Sequence, residues 1–244
     1  MVKGIYTASE GMKANLRKQE TISNNLANVN TTGYKQTELF TRAMLTHTQN
    51  DQRQPFLNDE HTIDEVAVDY RPGPMVQTGN PLDVAIEGEA FFTVMRPDNT
   101  VAYTRNGALT IDKDGDLATL NGEKIIGETD KAIPIQGKSV SLQTDGSVVV
   151  DGRIVNKLKM GQFEKPYFLV KSGYNLYEKS EQTLDAAPGN FKLNQGHLEG
   201  SNVNPVETMV KMISSFRNYE SDERAMQASD QTLNKAVNEV GRIR

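Results

Sequence analysis

The stretch NPVETMVKMISSFRNY, residues 204–219, marks the start of the longest helix that the sequence predicts. Asn204 can accept hydrogen bonds from the first free backbone N–H groups, and Pro205 suits the first helical position. Glu207 completes an N-x-x-E capping box. The periodic pattern continues to about Gly241, so the helix is roughly 50 Å long at about 1.5 Å per residue.

One stripe of mainly apolar residues runs along this helix, with steps that alternate between three and four residues. Such a stripe is typical of a coiled-coil seam. Its apolar members are Met209, Met212, Phe216, Tyr219, Met226, Leu233, Val237 and Val240. The stripe is either a core face within the chain or a seam between chains, where flexible Met side chains adapt to their neighbours. We favour the seam between chains, because the sequence predicts no third long helix that would cover the stripe.

A weaker stripe with the same spacing begins at Val2, near the other end of the chain. Its apolar members are Val2, Ile5, Met12, Leu16 and Leu26, and Ile22 and Val29 widen it. It predicts an N-terminal amphipathic helix, and Gly33 is a suitable left-handed stop a few residues beyond it. The two predicted helices therefore come from opposite ends of the chain, and each has an apolar face that must be buried.

Asparagine is concentrated where the first helix is predicted to end, in ISNNLANVNTTGYK at residues 22–35. Asn24, Asn25, Asn28 and Asn30 lie within seven residues of one another. Asparagine is a mediocre helix former, because its amide competes for backbone hydrogen bonds. This enrichment needs an explanation beyond helix propensity.

The middle of the chain has the pattern of short β-strands. The β-rich runs are 82–86, 91–94, 108–111, 124–126, 147–150 and 154–155. Between them lie Asp114-Gly115, Asn121-Gly122, Asp145-Gly146 and Asp151-Gly152, dipeptides that favour primed two-residue hairpin turns. We therefore predict one antiparallel β domain.

These patterns predict an α+β fold, in which N- and C-terminal amphipathic helices form a coiled-coil layer beside one central antiparallel β-rich domain. The N-terminal helix and its Asn-rich turn occupy residues 1–34. An extended connector without a steady period follows at 35–67, and the β domain occupies 68–198. The C-terminal coiled-coil helix occupies 199–244.

Composition excludes several functional classes. The net charge of −5 argues against a nucleic-acid partner, and no apolar window is long enough to cross a membrane. The chain has no cysteine, which excludes disulfides and thiolate metal sites. The N-terminus lacks the features of a cleaved signal peptide. No P-loop, dinucleotide or nucleophile-elbow motif occurs, so the sequence predicts neither an enzyme nor a cofactor.

One segment resembles a calcium-binding loop. Asp112, Asp114, Asp116 and Glu123 match positions 1, 3, 5 and 12 of an EF-hand, but Leu117 stands where that loop needs glycine. We therefore predict a hairpin that turns at Asp114-Gly115. The three histidines, His47, His61 and His197, lack metal-ligand spacing and are interpreted as solvated loop residues.

The motifs ISNNLANVNTTGYK at 22–35 and LEGSNVNPVETMVKMISSFRNYE at 198–220 closely resemble the flagellar rod and hook family. TGNPLDVAIEGEAFFTV at 78–94 and YTRNGALTIDKDGDL at 103–117 resemble the start of that family's β domain. The resemblance extends over nearly the whole chain. Rod proteins fit better than the longer hook protein, because the centre holds only one β domain.

The resemblance implies a structural axial subunit of the bacterial flagellar basal-body rod. Such subunits self-assemble through their terminal helices into a helical tube that transmits torque to the hook. Its partners would be copies of itself, other rod and hook subunits and the flagellar export apparatus. Its location would be the periplasmic rod, reached without a cleaved signal peptide. The resemblance leaves open whether the subunit belongs to the proximal or the distal rod.

If the chain is such a rod subunit, we expect the asparagines to act in contacts between subunits. Amides can donate and accept, so the four asparagines of the turn could pair with backbone groups of neighbouring subunits. Ser201, Asn202 and Asn204 could do the same before the second helix. The alternative is capping within one chain.

A different class of function is a soluble ligand-binding β module with a helical dimerisation stalk. It would need a concave pocket with convergent polar groups, which sequence does not reveal. A discrete dimer would favour this alternative, whereas a monomer or an open polymer would favour the rod subunit.

Overall fold

The computed structural model describes residues 2–43, 62–137, 139–186, 189 and 191–240. Within these residues an α-helix lies near each end of the chain, and antiparallel strands lie between them. The predicted α+β class is therefore confirmed. Neither described helix combines the length and apolar character needed to span a bilayer.

The helices and strands have the following bounds. Helix α1 is Val2–Ala27, α2 is Pro205–Val240, and a short 3-10 helix is Pro166–Phe168. The strands in chain order are β1 Thr37–Ala43, β2 Thr62–Val68, β3 Met75–Gln77, β4 Val84–Glu87, β5 Ala90–Met95, β6 Val101–Thr104, β7 Leu109–Ile111, β8 Leu117–Thr119, β9 Lys124–Ile125, β10 Val140–Leu142, β11 Ser147–Val150, β12 Arg153–Lys157, β13 Met160–Gln162, β14 Leu169–Lys171, β15 Leu176–Lys179, β16 Lys192–Gln195 and β17 His197–Glu199.

The chain divides into two compact units. The helical unit comprises the described parts of 1–27, 37–68 and 204–244, and the β unit comprises 28–36 and the described parts of 69–203. The chain therefore passes between the units at four places. The Asn-rich turn after α1 belongs to the β unit, not to the unit that contains α1 itself.

The helical unit contains α1, α2 and the antiparallel pair β1–β2, in which Thr37 faces Val68. These strands occupy much of the described part of 35–67, the range predicted as an extended connector. Helix α2 begins where its cap predicts, because Asn204 Oδ1 accepts hydrogen bonds from the N–H groups of Val206 and Glu207 at 3.1 and 3.3 Å.

The largest sheet of the β unit has the strand order β14-β15-β6-β5-β9-β8-β7, with β13 also paired to β5. Two long-range pairs, β16–β4 and β17–β3, join the end of this unit to its start. The main core contains the fully buried residues Val84, Ile86, Phe92, Val94, Leu117, Ile125, Ile133 and Leu193. All six strand regions predicted from the sequence contain strands.

A second, aromatic cluster involves the opposite side of β5. Phe91 makes ring contacts with Tyr70, Tyr177 and Phe163 at centroid distances of 5.9, 5.9 and 5.8 Å. Tyr103 lies 4.9 Å from Phe163. Because successive side chains of a strand point to opposite faces, β5 is buried on both sides and lacks the alternation of a half-exposed strand.

The prediction of primed two-residue turns was correct at one site and wrong at three. Asp151 and Gly152 both have positive φ, of 48° and 79°. At the other three sites only the glycine has positive φ, and its N–H donates to the carbonyl three residues earlier. These are longer loops in which a four-residue turn ends on a left-handed glycine. The hairpin predicted around Asp114-Gly115 is present, as the β7–β8 pair.

Candidate subunit interface

Helices α1 and α2 pack antiparallel within the helical unit through polar groups. Asn15 Nδ2 donates to Asp222 Oδ2 at 2.8 Å, and Ser215 Oγ donates to the Asn15 carbonyl at 3.2 Å. A Cβ at Gly11 would lie 3.0 Å from Asp222 Oδ2, so glycine suits this close approach. The side of α2 that faces α1 is therefore not the centre of the predicted apolar stripe.

The sequence interpretation missed this polar side of α2. Thr208 and Ser215 are almost fully buried. Together with Asp222 and Ser229 they recur every seven residues. A seven-residue repeat of small or polar residues beside the apolar stripe is a signal that could have revealed it.

The structure divides the predicted stripe on α2 into two sets. Met212, Tyr219, Met226 and Leu233 are half-buried, whereas Met209 and Phe216 are 50% and 49% exposed. Val206, Val210 and Ile213 extend the exposed set along the same early turns of the helix. We call these five exposed residues the α2 apolar face. The side chains of Val237 and Val240 lie outside the described residues.

The predicted residues of α1 differ in exposure. Ile22 and Asn25 are buried, Ile5, Met12 and Leu26 are half-buried, and Leu16 and Asn24 are exposed. The buried apolar positions are therefore concentrated near the end of the helix, and the helix as a whole is not enclosed.

The asparagine and serine side chains form hydrogen bonds within the chain. Asn25 Nδ2 donates to the Thr37 carbonyl at 2.7 Å, and its Oδ1 accepts from the Thr37 N–H at 3.0 Å. Asn28, in the β unit, accepts a hydrogen bond from the Thr31 hydroxyl. Asn30 is exposed. Ser201 is buried, and its Oγ accepts a hydrogen bond from the Val203 N–H. These contacts favour the alternative in which the amides pair within one chain.

Asn202 ties three chain segments of the β unit together. Its Oδ1 accepts from the Gln36 N–H at 2.7 Å, and its Nδ2 donates to the carbonyls of Asp69 and Arg71. Its own N–H donates to the Tyr34 carbonyl at 3.4 Å. Gln36 ends the first segment of the β unit, Asp69 begins its second segment, and Asn202 lies one residue before the end of that second segment. Asn202 therefore holds these three segment ends together.

A buried ionic cluster supports the same segments. Lys35 Nζ lies 2.5 Å from Glu199 Oε1, and Arg105 Nη1 lies 3.2 Å from Glu199 Oε2. The Gly73 N–H also donates to Glu199 Oε1, and Lys35 Nζ donates to the Arg71 carbonyl. The cluster thus joins the Asn-rich turn, β17 and the loop after β6.

Burial controls the electrostatics of this cluster. Desolvation lowers the pKa of Lys35 and the pKa of Arg105, although Glu199 opposes both shifts. Lys35 and Arg105 therefore share the one carboxylate of Glu199. Arg105 Nε and the Tyr177 hydroxyl have no hydrogen-bond partner among the described residues.

The EF-hand-like segment holds an internal lysine. Lys124 Nζ lies 3.3, 2.8 and 2.8 Å from carboxylate oxygens of Asp112, Asp114 and Asp116. Among the described residues, only these three aspartates have the spacing of a metal-binding group. Hydrogen bonds from the N–H groups of Asp116 and Asp114, together with Lys124, lower the pKa of Asp112. The Lys124 ammonium therefore supplies the positive charge that a bound metal ion would otherwise provide.

The interpretation of His197 as a solvated loop residue was wrong. His197 begins β17 and is half-buried, and its Nδ1 lies 3.1 Å from the Gln195 carbonyl. Pairing with β3 draws this residue into a sheet. His47 and His61 lie outside the described residues.

Three family models match the chain. Residues 5–35 match the flagella basal body rod protein model. Residues 85–150 match the flagellar hook protein FlgE/F/G D1 domain, and residues 194–239 match the flagellar basal body rod FlgEFG protein C-terminal model. The matched ranges cover most of α1, the middle part of the β domain and all but the last residue of α2.

Curated relatives match over almost their full lengths. The flagellar basal-body rod protein FlgG of Borreliella burgdorferi is 35% identical over 98% of this chain and 98% of its own. FlgG of Buchnera aphidicola subsp. Schizaphis graminum is 32% identical over 96% and 98%. The flagellar basal-body rod protein FlgF of Caulobacter vibrioides is 30% identical over the whole of both chains.

Proposed function

Because the chain belongs to the flagellar basal-body rod family, we propose that it assembles through its terminal helices into a helical tube that transmits torque to the hook. The family consists of structural components of the flagellar basal body, so this chain is a structural protein and not an enzyme. Assembly through the helices and torque transmission are our proposals.

The exposure of the α2 apolar face is the observation that carries the proposal. Val206, Met209, Val210, Ile213 and Phe216 are between 49% and 69% exposed on the first three turns of the helix. Fully burying one such side chain is worth about 1.5–3 kcal/mol. Contiguous exposed apolar residues of this kind mark interaction sites. The occupant we propose is the terminal helices of neighbouring rod subunits.

In the proposed coiled-coil layer, the two apolar sets of α2 make different contacts, one within the chain and the other between chains. The half-buried set, Met212, Tyr219, Met226 and Leu233, recurs every seven residues and stabilises the helical unit within one chain. The α2 apolar face, together with exposed Leu16 of α1, forms contacts between chains. Different surfaces meet in such contacts, and we propose that their geometry does not close into a ring and so yields an open helical polymer.

The proposed organisation follows from this division. The helical unit, which contains α1, α2 and the pair β1–β2, supplies the assembling layer. The partners we propose are copies of this chain, other rod and hook subunits and the flagellar export apparatus. The place we propose is the periplasmic part of the rod.

Imaging of isolated basal bodies tests the proposal. A strain that lacks the native gene would express this chain, and cryo-electron microscopy of its basal bodies would trace the subunit. We expect the chain in the rod wall, with its helices packed against those of neighbours. Absence of the chain from basal bodies, combined with a discrete dimer in solution, would instead support a ligand-binding module with a dimerisation stalk.

A further inference from the structure

The chain contains two Asn-Gly dipeptides, Asn106-Gly107 and Asn121-Gly122. This dipeptide is especially prone to spontaneous loss of the asparagine amide, because glycine has no Cβ to shield its backbone nitrogen. That nitrogen attacks the side-chain carbonyl carbon of the asparagine, so both residues must be free to change conformation. The fold therefore decides which of the two asparagines reacts.

Asn121-Gly122 lies at an exposed hairpin tip between β8 and β9. Both residues are exposed, and the preceding Leu120 is 70% exposed. The Asn121 amide forms no hydrogen bond among the described residues. A Cβ placed on Gly122 would meet nothing within 4 Å, so the tip has room for an altered backbone.

A backbone hydrogen bond closes this tip. The Gly122 N–H donates to the Thr119 carbonyl at 3.1 Å, and the attack on Asn121 must break that bond. The Thr119 N–H donates to the Glu123 carbonyl at 2.8 Å, and this bond lies outside the two residues that move. Openings confined to an exposed tip have low free energy. The reaction at Asn121 therefore proceeds without separation of β8 and β9.

Hydrogen bonds hold Asn106-Gly107 in place. Asn106 Oδ1 accepts a hydrogen bond from the Ala108 N–H at 3.1 Å, and the Asn106 N–H donates to the Thr104 hydroxyl at 3.1 Å. The Gly107 carbonyl accepts from the Val84 N–H at 3.0 Å. The reacting side chain and the backbone on both sides of it are thus fixed.

Close packing also restricts this second dipeptide. Gly107 is buried, and a Cβ placed on it would lie 1.7 Å from the Val84 carbonyl oxygen and 3.3 Å from the Phe92 ring. A Cβ placed on Gly33 would lie 2.6 Å from the Asn106 nitrogen. Asn106 therefore reacts only when this part of the β unit opens, which requires more free energy than opening an exposed tip.

We propose that Asn121 deamidates spontaneously in the folded chain, whereas the fold protects Asn106. The Gly122 nitrogen loses its proton to hydroxide and forms a bond to Asn121 Cγ. The bond from Cγ to the side-chain nitrogen breaks, that nitrogen takes up a proton from water, and ammonia leaves behind a cyclic imide. Water then adds to either imide carbonyl and opens the ring to aspartate or isoaspartate. The net change is the gain of one water and the loss of one ammonia.

Either product places a carboxylate at position 121, which adds a negative charge to the tip at neutral pH. Isoaspartate also lengthens the backbone by one carbon, and the open surroundings of Gly122 accommodate that change. The modified chain therefore stays folded, and the product accumulates with time.

Peptide mapping of the full chain as it ages tests the inference. Trypsin cleaves after Arg105, Lys113 and Lys124, so 106–113 and 114–124 are separate peptides with one asparagine each. After incubation of the folded chain in mildly alkaline buffer, mass spectrometry should show conversion of amide to acid in the peptide 114–124. The peptide 106–113 should convert at least about tenfold more slowly, because Asn106 depends on local opening. Digests made before incubation correct for conversion during digestion.

The same chain unfolded in guanidinium chloride is the matched control. Both asparagines lose their folded surroundings there and should convert at similar rates. Equal rates in the folded chain would overturn the inference, as would faster conversion at Asn106. It would also be overturned if the difference persisted in the unfolded chain, or if folded Asn121 stayed unconverted under conditions in which the other peptide reacts.

Two variants at the exposed position test the site and its product separately. Asn121→Ala removes the reacting amide, so isoelectric focusing should show less of the acidic form that accumulates as the wild-type chain ages. Asn121→Asp carries the charge of the product and should have the thermal midpoint of the wild type. An undiminished acidic form in Asn121→Ala would contradict the proposed site. A lower thermal midpoint of Asn121→Asp would contradict accumulation of the product in folded protein.

Discussion

Lys35 Nζ lies 2.5 Å from Glu199 Oε1, and both side chains are almost completely shielded from solvent. The two residues are 164 positions apart and belong to the segments that begin and end the β unit. Arg105 shares the same carboxylate, so Glu199 compensates two cations. The stability of this junction therefore depends most on Glu199.

We predict that removing the carboxylate is far more harmful than removing one cation. Glu199→Gln leaves Lys35 and Arg105 as uncompensated buried charges, and should lower the free energy of unfolding by about 3–5 kcal/mol. Lys35→Met leaves the Glu199–Arg105 pair but removes two hydrogen bonds, to Glu199 and to the Arg71 carbonyl, and should cost about 2 kcal/mol, about 1 for each bond. Urea unfolding of the purified chain measures both, with exposed Lys113→Met as control. Equal losses for the two variants would refute the conclusion that this junction depends most on Glu199.

The lowered pKa of Lys35 predicts a dependence of stability on pH. Between that lowered pKa and the ordinary value of 10.5, the unfolded chain binds more protons than the folded chain. The free energy of unfolding contributed by Lys35 therefore rises with pH across this window. Measured against Lys35→Met, the wild-type chain should gain stability as pH increases toward 10.5. If the difference in free energy of unfolding between the two proteins did not change with pH, burial would not lower the pKa of Lys35.

The internal lysine of the acidic turn predicts how the chain responds to calcium. Lys124 lies close to Asp112, Asp114 and Asp116, so the wild-type chain should show no micromolar calcium binding by isothermal titration. Lys124→Met removes the only close cation that the structure places between these carboxylates. Millimolar calcium should then raise the thermal midpoint of the variant but not of the wild type. Micromolar binding by the wild type would contradict this account.

The α2 apolar face predicts variants that separate folding from assembly. Ile213→Asp and Phe216→Asp change side chains that are 54% and 49% exposed. Each should alter the free energy of unfolding of the purified chain by no more than about 0.5 kcal/mol. Both should abolish motility, because they place a charge in a contact between subunits. Ser214→Asp, on exposed surface beside this face, should be tolerated. Motility that survives both variants would exclude this face as an interface.

The features that could be predicted from the sequence are those set by neighbouring residues. The cap at Asn204 fixed the start of α2 correctly, since it acts within three residues. The β-rich runs likewise identified strands at the correct places. The three mispredicted turns contain the expected glycine, but the turn type depends on where the flanking strands stop pairing.

The remaining features depend on residues that are distant in the sequence. Lys35 and Glu199 are charged residues, which on their own predict exposed positions. Their burial is possible only because folding brings them together, and no local pattern indicates that pairing. The strand pairs β16–β4 and β17–β3 also join residues that are distant in the sequence, so no local pattern indicates them. The polar side of α2 lies outside the apolar stripe, so apolar periodicity alone does not indicate it.

Hydrogen exchange of the terminal helices tests most directly whether subunits complete one another. In dilute monomer, amides of α1 and α2 should exchange much faster than those of β5, β6 and β9, because the helices depend on contacts with neighbouring chains. In assembled rods the same amides should become strongly protected. Strong protection of both helices in dilute monomer, unchanged on assembly, would contradict the account.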